Sequence, residues 1–156
     1  MRVETFAEIE AEFIARVHTA IWGDLATIDA QGFPRSRIVH TIWEGASGWI
    51  ADWRHSPKAR DIEWHPHVSL AYLADIVRPV YVQGVARWAD DLQEKRHVWE
   101  LFAAAPPPLG YDPAAIYGQI EAPEYGVLHI TPLHIELGNV SGIGERRITW
   151  RAAAES

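Results

Sequence analysis

The sequence predicts a mainly β protein, a β-barrel of six or seven antiparallel strands with helices attached. Three observations carry this. Short runs of alternating or β-branched residues recur along most of the chain, bounded by Gly, Pro, Asn or Asp. Only two long stretches repeat their apolar residues at three- and four-residue spacing, one at the start and one after residue 90. The chain has 156 residues and is 48% hydrophobic, the size of one domain and enough for one core, so residues 1–156 are expected to form a single domain.

Taken in order, Thr5 to about Ile21 reads as an amphipathic helix lying across a sheet, with Phe6, Ile9, Phe13, Ile14, Val17 and Ile21 on one side. Thr5 and Glu8 match a capping box at its start. After "WG" the period changes to two. "DLATID" and "RSRIVHTIW", joined by "AQGFP", predict a hairpin over 24–43, and "SGWIAD" a third strand. In "SPKARDIEW", Ser56 suits an N-cap and Pro57 the first helical position, and "HP" at 65–66 stops the helix after about two turns. "HVSLAYLA" reads as a strand buried on both faces. "RPVYVQGVARWA" reads as one that alternates, with a bulge at Gly84.

Asp90 or Asp91 caps a second long helix, "DLQEKRHVWELFAAA", whose apolar side holds Leu92, Val98, Trp99 and Phe102. "APPPLGYDP" ends it. Residues 106–124 then read as an exposed excursion that either closes over a site or reaches another subunit. "YGVLHITPLHIELGNV" gives one or two strands interrupted by Pro132, and "RRITWR" a last strand after the turn "SGIG".

Composition excludes several functions. A net charge of −7 and a pI near 5.6 argue against nucleic-acid binding, which needs a broad basic surface. No apolar run approaches the roughly 20 residues of a membrane span, and "MRVETFAEIEAEF" interleaves carboxylates where a signal peptide needs apolar residues, so a soluble, cytoplasmic protein is expected. The absence of cysteine removes disulfides, thiolate nucleophiles and sulfur-ligated metals. "HPH" at 65–67, even with His55, lacks an acidic ligand at suitable spacing, and no metal site is expected. "GIGERR" falls short of a nucleotide-binding glycine pattern. No catalytic triad or carboxylate pair emerges from spacing, so catalytic residues stay unassigned.

Against this acidic background, Arg54, His55, Lys58 and Arg60 gather around the start of the short helix, although the chain has only two lysines. A cation in the first helical turn opposes the helix dipole, and a bound anion removes the conflict. Solvated loop charges are the alternative. In "PRSRIVHTIW" the alternation puts Arg35, Arg37, Val39, Thr41 and Trp43 on one side and Ser36, Ile38, His40 and Ile42 on the other. Arg37 begins the apolar part of this strand, so it needs a phosphate or a carboxylate, with Asp24, Asp29 and Asp52 as the carboxylates in question.

The order "RIVHTIW", "GWIADW", "HSPKARDIEWHPHVSLAYL", "RPVYVQGVARW" resembles the pyridoxamine 5'-phosphate oxidase-like, FMN-binding split-barrel family, and "VLHITPLHIEL" is similar to the end strand of its small general-stress-type members. The likeness runs over about residues 20–138. It implies a split β-barrel that binds FMN, with Arg37 and Lys58 on the phosphate and Ser56 beside them. It implies that the strand from Ile38 through Val39, His40 and Thr41 to Ile42 lines the ring and ribityl chain, and that Ala51 and Asp52 form a second stretch beside the flavin. It also implies a homodimer with flavin at the interface, completed by Trp88, the 106–124 segment or the last strand of the partner, and redox chemistry on a small-molecule substrate. A non-catalytic flavin store or stress sensor, or the same fold holding a deazaflavin (F420) or haem, are the alternatives. The family's true oxidases have Arg-Gln-Val where this chain has Arg78-Pro79-Val80, and Arg-Lys where it has Pro57-Lys58. They also end in a substrate clamp that "RRITWRAAAES" does not reproduce, so pyridoxamine phosphate is not the expected substrate.

Overall fold

The computed structural model describes residues 1–140 and 146–153. Its elements are β1 (Arg2–Val3), a 3-10 turn (Phe6–Glu8), α1 (Glu10–Ala20), β2 (Trp22–Ile28), β3 (Pro34–Glu44), β4 (Ser47–Trp53), α2 (Pro57–Trp64), β5 (His67–Tyr72), β6 (Val80–Trp88), α3 (Leu92–Ala104), α4 (Ala114–Tyr117), β7 (Tyr125–Asn139) and β8 (Arg146–Arg151). Strands β7, β4, β3, β2, β5 and β6 pair antiparallel in that order, and β6 returns to β7, which closes a six-stranded barrel. The half of β7 from His134 keeps β6 on one edge and takes β8 on the other, and β1 adds to β8 in parallel. The described strands thus number eight, one or two more than the pattern predicts.

Alternation explains the interior. Leu25, Val39, Ile50, Leu70, Val82, Leu128 and Ile135 point inward from successive strands and are almost fully buried. Helix α1 covers one end of the barrel: Phe13 packs edge-on against Trp43 at 4.9 Å, and His18 Nε2 accepts the Trp43 backbone N–H at 3.0 Å. The first helix is interrupted after a single 3-10 turn, where Glu8 accepts from the Thr5 backbone and hydroxyl. Helix α2 covers the opposite end and sends Ile62 into the same core. A second apolar cluster lies outside the barrel, where Val98 and Phe102 of α3 cover Ile42, Trp49 and Val127.

Several expectations are corrected. Strand β5 is not buried on both faces; Val68, Leu70 and Tyr72 point inward while His67 and Ser69 are exposed. Of the α3 residues assigned to its apolar side, Leu92 is exposed. Pro132 does not divide the C-terminal strand. It sits opposite Gly84, where the β6–β7 register shifts and the ladder needs no N–H, so β7 runs through it for 15 residues. A Cβ on Gly84 would lie 2.5 Å from the Thr131 carbonyl, so only glycine fits the bulge. Asp91, not Asp90, caps α3, accepting from the N–H groups of Gln93 and Glu94. The "SGIG" turn lies outside the described residues.

Candidate functional site

The site begins where the inward face of β3 leaves the core. Arg37 pairs with Leu25 across β2 and is the first residue of that face to meet α2 rather than another strand. Its guanidinium donates to Thr27 Oγ1 at 2.7 Å and lies 3.8 Å from Asp61 Oδ2. Its partner is therefore Asp61, and none of Asp24, Asp29 and Asp52. On α2, Lys58, Ala59, Asp61 and Ile62 form the buried side, which brings Lys58 into the same end of the barrel. Lys58 is 5% exposed and ion-paired with Asp52 of β4. Burial and, secondarily, the Arg37 guanidinium pull the Lys58 ammonium down to about 8. The Asp52 carboxylate opposes both and favours the charged form. Arg37 is itself lowered by burial and by Arg35, with Asp61 acting the other way.

Ser56 stands at the N-cap of α2 but makes no cap bond; its Oγ is buried with no partner. A buried hydroxyl left open at a helix N-cap is the kind of group that a ligand oxygen satisfies. The other cations of the sequence cluster point elsewhere. Arg54 binds Asp90 at 2.7 and 3.0 Å, lies 3.6 Å from Glu63 and stacks over Trp88 at 4.8 Å, while His55 and Arg60 are exposed. Trp88 packs against its own barrel core.

Next to these charges is a cavity of about 610 Å³ on the outer face of β3 and β4. Trp22, Ile38, His40, Ala51, Asp52 and Trp53 form its floor and sides; Pro108, Tyr111, Asp112, Ala115, Ile116 and Tyr117 close over it. Val39 and Ile50 also border it, but their side chains belong to the barrel core, so they offer backbone only. The 106–124 excursion thus folds back over its own barrel. His40 holds it there: Nε2 lies 2.6 Å from the Leu109 carbonyl and so donates to it, while Tyr111 tilts against the imidazole at 5.1 Å. Burial lowers the His40 pKa. It also pushes the Tyr111 hydroxyl up to about 12, which keeps it protonated.

Among the expected site residues, Arg37 and Lys58 lie close enough to act on each other, Lys58 is paired with Asp52 at the cavity's edge, and Ser56 stands at the N-cap two residues before Lys58. Ile38, Val39, His40 and Ala51 border the cavity. Thr41 and Ile42 do not. Thr41 points into the barrel, where its hydroxyl bonds Tyr72 at 2.7 Å, and Ile42 is buried beneath α3. Sequence reasoning missed Thr27 and Asp61 on Arg37, and Trp22, Trp53, Tyr111 and Tyr117 on the cavity. Asp61 alone left a signal, being one helical turn beyond Lys58 on the Ile62 side.

The architecture is a closed six-stranded antiparallel barrel with helices over both ends and with Arg37 of β3 and Lys58 of α2 brought together at one of them, which fits a split-barrel protein of the pyridoxamine phosphate oxidase type. Comparison with known families agrees. Residues 9–137 match the sequence model of pyridoxamine 5'-phosphate oxidase, and the chain belongs to that family. No curated protein matches it. Among solved structures, a Clostridium acetobutylicum protein related to general stress protein 26 of B. subtilis superposes with a TM-score of 0.71 at 15% identity, covering 92% of this chain and 94% of that one. An FMN-binding, pyridoxamine 5'-phosphate oxidase-related protein from Nostoc punctiforme gives 0.70 at 16% identity over 97% and 93%. A protein described as an F420 reductase gives 0.59 at 18% over 78% and 93%. Among the described residues, no helix is long and apolar enough to cross a membrane.

Proposed function

We propose that the chain binds FMN and acts as an oxidoreductase on a small-molecule substrate. The observation that carries this is the convergence of Arg37 and buried Lys58 next to a cavity walled by aromatic rings. The donor set fits a phosphate monoester: a guanidinium for two oxygens, an ammonium as a point charge, and the unpartnered Ser56 hydroxyl. Ile38, Val39, His40, Ala51 and Asp52 then lie along the ring and its chain, with Trp22, Trp53, Tyr111 and Tyr117 providing apolar surface around a planar ligand. Thr41 and Ile42 contribute by holding the strand, from its two buried sides. When bound, the flavin supplies the two-electron chemistry; the protein binds, orients and limits solvent access. His40 already donates to Leu109, so it serves this site as a wall and a latch, and no side chain is assigned as acid or base.

Trp22, Ile38, Trp53 and Ile116 leave exposed apolar surface around the cavity, Ile38 being 68% accessible. A second copy of the chain covering this rim fits a homodimer with the flavin at its interface. The resemblance to the F420 reductase supports one alternative, a deazaflavin in the same cavity. The committed state of His40 supports another, a flavin-binding protein that does no catalysis.

The test is the visible spectrum of purified protein, alone and after adding FMN, repeated on the variant carrying R37A and K58A. Oxidised-flavin absorption retained through gel filtration by the wild type and lost by the folded double variant is the expected result. Flavin retained equally by both removes the phosphate from these residues. No flavin in the folded wild type overturns the reading. Bleaching by a reduced nicotinamide then separates an enzyme from a store.

A further inference from the structure

The cation pair is already neutralised. Arg37 faces Asp61, and Lys58 is paired with Asp52, so these two cations are each matched by a carboxylate, with Arg35 adding a further positive charge near Arg37. The two carboxylates are differently placed. Asp61 is nearly buried on α2, behind Arg37, whereas the Asp52 side chain retains 20% of its exposure and borders the cavity. One Asp52 oxygen is held by the N–H of Trp53 at 2.7 Å, and the other takes the Lys58 ammonium. Anything entering from the cavity therefore meets a carboxylate before it meets Lys58.

We infer that Asp52 is an internal counter-ion that occupies the phosphate's place on Lys58, so that a phosphate-bearing ligand binds only by displacing it. This rests on the flavin reading above and concerns the regulation of that same site. The physical reasoning has two parts. A buried ammonium without a partner is strongly unfavourable, so Lys58 needs an anion within reach whether or not a ligand is bound. A phosphate monoester brings between one and two negative charges, and placing these beside an undisplaced carboxylate a few ångströms away costs more than Lys58 returns. Asp52 is suited to leave because its solvent-facing side lets it take up water on turning from Lys58, which Asp61 cannot do. The chain thereby sets its preference between phosphorylated and unphosphorylated flavins through one carboxylate. Riboflavin shares the ring and the ribityl chain and has no claim on Lys58.

The experiment titrates FMN and riboflavin separately into the full chain and into D52N at pH 7, following quenching of flavin fluorescence. At that pH Lys58 remains mainly protonated even on burial and Arg37 repulsion alone. D52N is expected to raise the ratio of FMN to riboflavin affinity about tenfold or more over the wild type, the effect of removing one charge from contact with the phosphate. If the wild type binds FMN and folded D52N binds it equally or more weakly, Asp52 is a support for Lys58 and the inference fails while the flavin reading stands. An equal gain for FMN and riboflavin also overturns it, since the effect then does not act through phosphate. If neither protein binds either flavin, both readings fall together. Should D52N not fold, D52S removes the same charge and is judged by the same ratio.

Discussion

His40 ties the excursion after α3 to the barrel, and His40→Ala puts a number on that tie. The substitution removes the 2.6 Å hydrogen bond to the Leu109 carbonyl and the 5.1 Å ring contact with Tyr111. A neutral hydrogen bond contributes about 1 kcal/mol and an aromatic pair about another 1 kcal/mol, so closure of Leu109–Tyr117 weakens by about 2 kcal/mol, or about 30-fold in the closed-to-open ratio. The contacts of the imidazole with Trp22 of β2 and Phe102 of α3 are also lost, but these residues lie outside the excursion and bear on global stability rather than on closure. Amide hydrogen exchange reads the difference directly. The N–H of Gly110 donates to Pro106 and that of Tyr111 to Phe102, so both exchange only when the segment opens. They are expected to exchange about 30-fold faster in His40→Ala, with amides of the β4–β7 ladder unchanged, and His40→Gln, which keeps a donor, recovers part of the loss. Unchanged exchange at both amides refutes the latch. Equal acceleration throughout the barrel does so as well, because it makes His40 a stability residue only.

Two further outcomes follow from buried polar groups. Tyr72→Phe deprives the Trp43 indole N–H and the Thr41 hydroxyl of a shared partner inside the barrel, at 2.8 and 2.7 Å. The expected loss is about 2–4 kcal/mol by urea denaturation, which lowers Tm by about 6–12 °C in a chain of 156 residues; a loss below about 1 kcal/mol refutes the network. Ser56→Ala removes a hydroxyl with no partner in the protein, so stability is expected to change by less than about 0.5 kcal/mol. FMN affinity should fall about fivefold with riboflavin affinity unaffected, and equal affinity for FMN in both proteins takes Ser56 out of the site.

The barrel strands were legible as short β-prone runs between turn residues, most of them with a period of two, although the alternation of β5 was missed, and both long helices because their apolar residues recur at helical spacing. Arg37 was legible as an inward cation for the same reason: it is in phase with Val39, Thr41 and Trp43. Its partners were not. Thr27 and Asp61 reach it only once α2 packs across the end of the barrel, and no local pattern states which end a two-turn helix will cover. The division of the basic cluster was hidden for a related reason. Arg54 and Lys58 are close in sequence, but Arg54 precedes the helix and turns to Asp90, while Lys58 is on its buried side. The aromatic roof had no periodicity to reveal it, since Tyr111 and Tyr117 lie in a proline-rich excursion with one short helical turn. Pro132 misled in a physical sense: proline is incompatible with a regular ladder position, and the register shift at Gly84 supplies an irregular one.

Strand β3 brings the basic end of the barrel and the aromatic cavity side by side in this chain. Its two faces belong to different environments, one to the barrel interior and one to the cavity beneath the α3–β7 excursion. Arg37 lies on the inward register, where the barrel mouth supplies the Asp61 carboxylate that favours its charged form. Ile38 of the cavity wall lies on the outward register, one residue away. Arg37 and Ile38 thus face the two environments as neighbours. A shift of β3 by one residue would bury Ile38 and Ser36 in place of Arg37 and break its contacts with Thr27 and Asp61. The register that folds the barrel is thus the register that brings Arg37 to Asp61 at its mouth and Ile38 and His40 to the cavity wall.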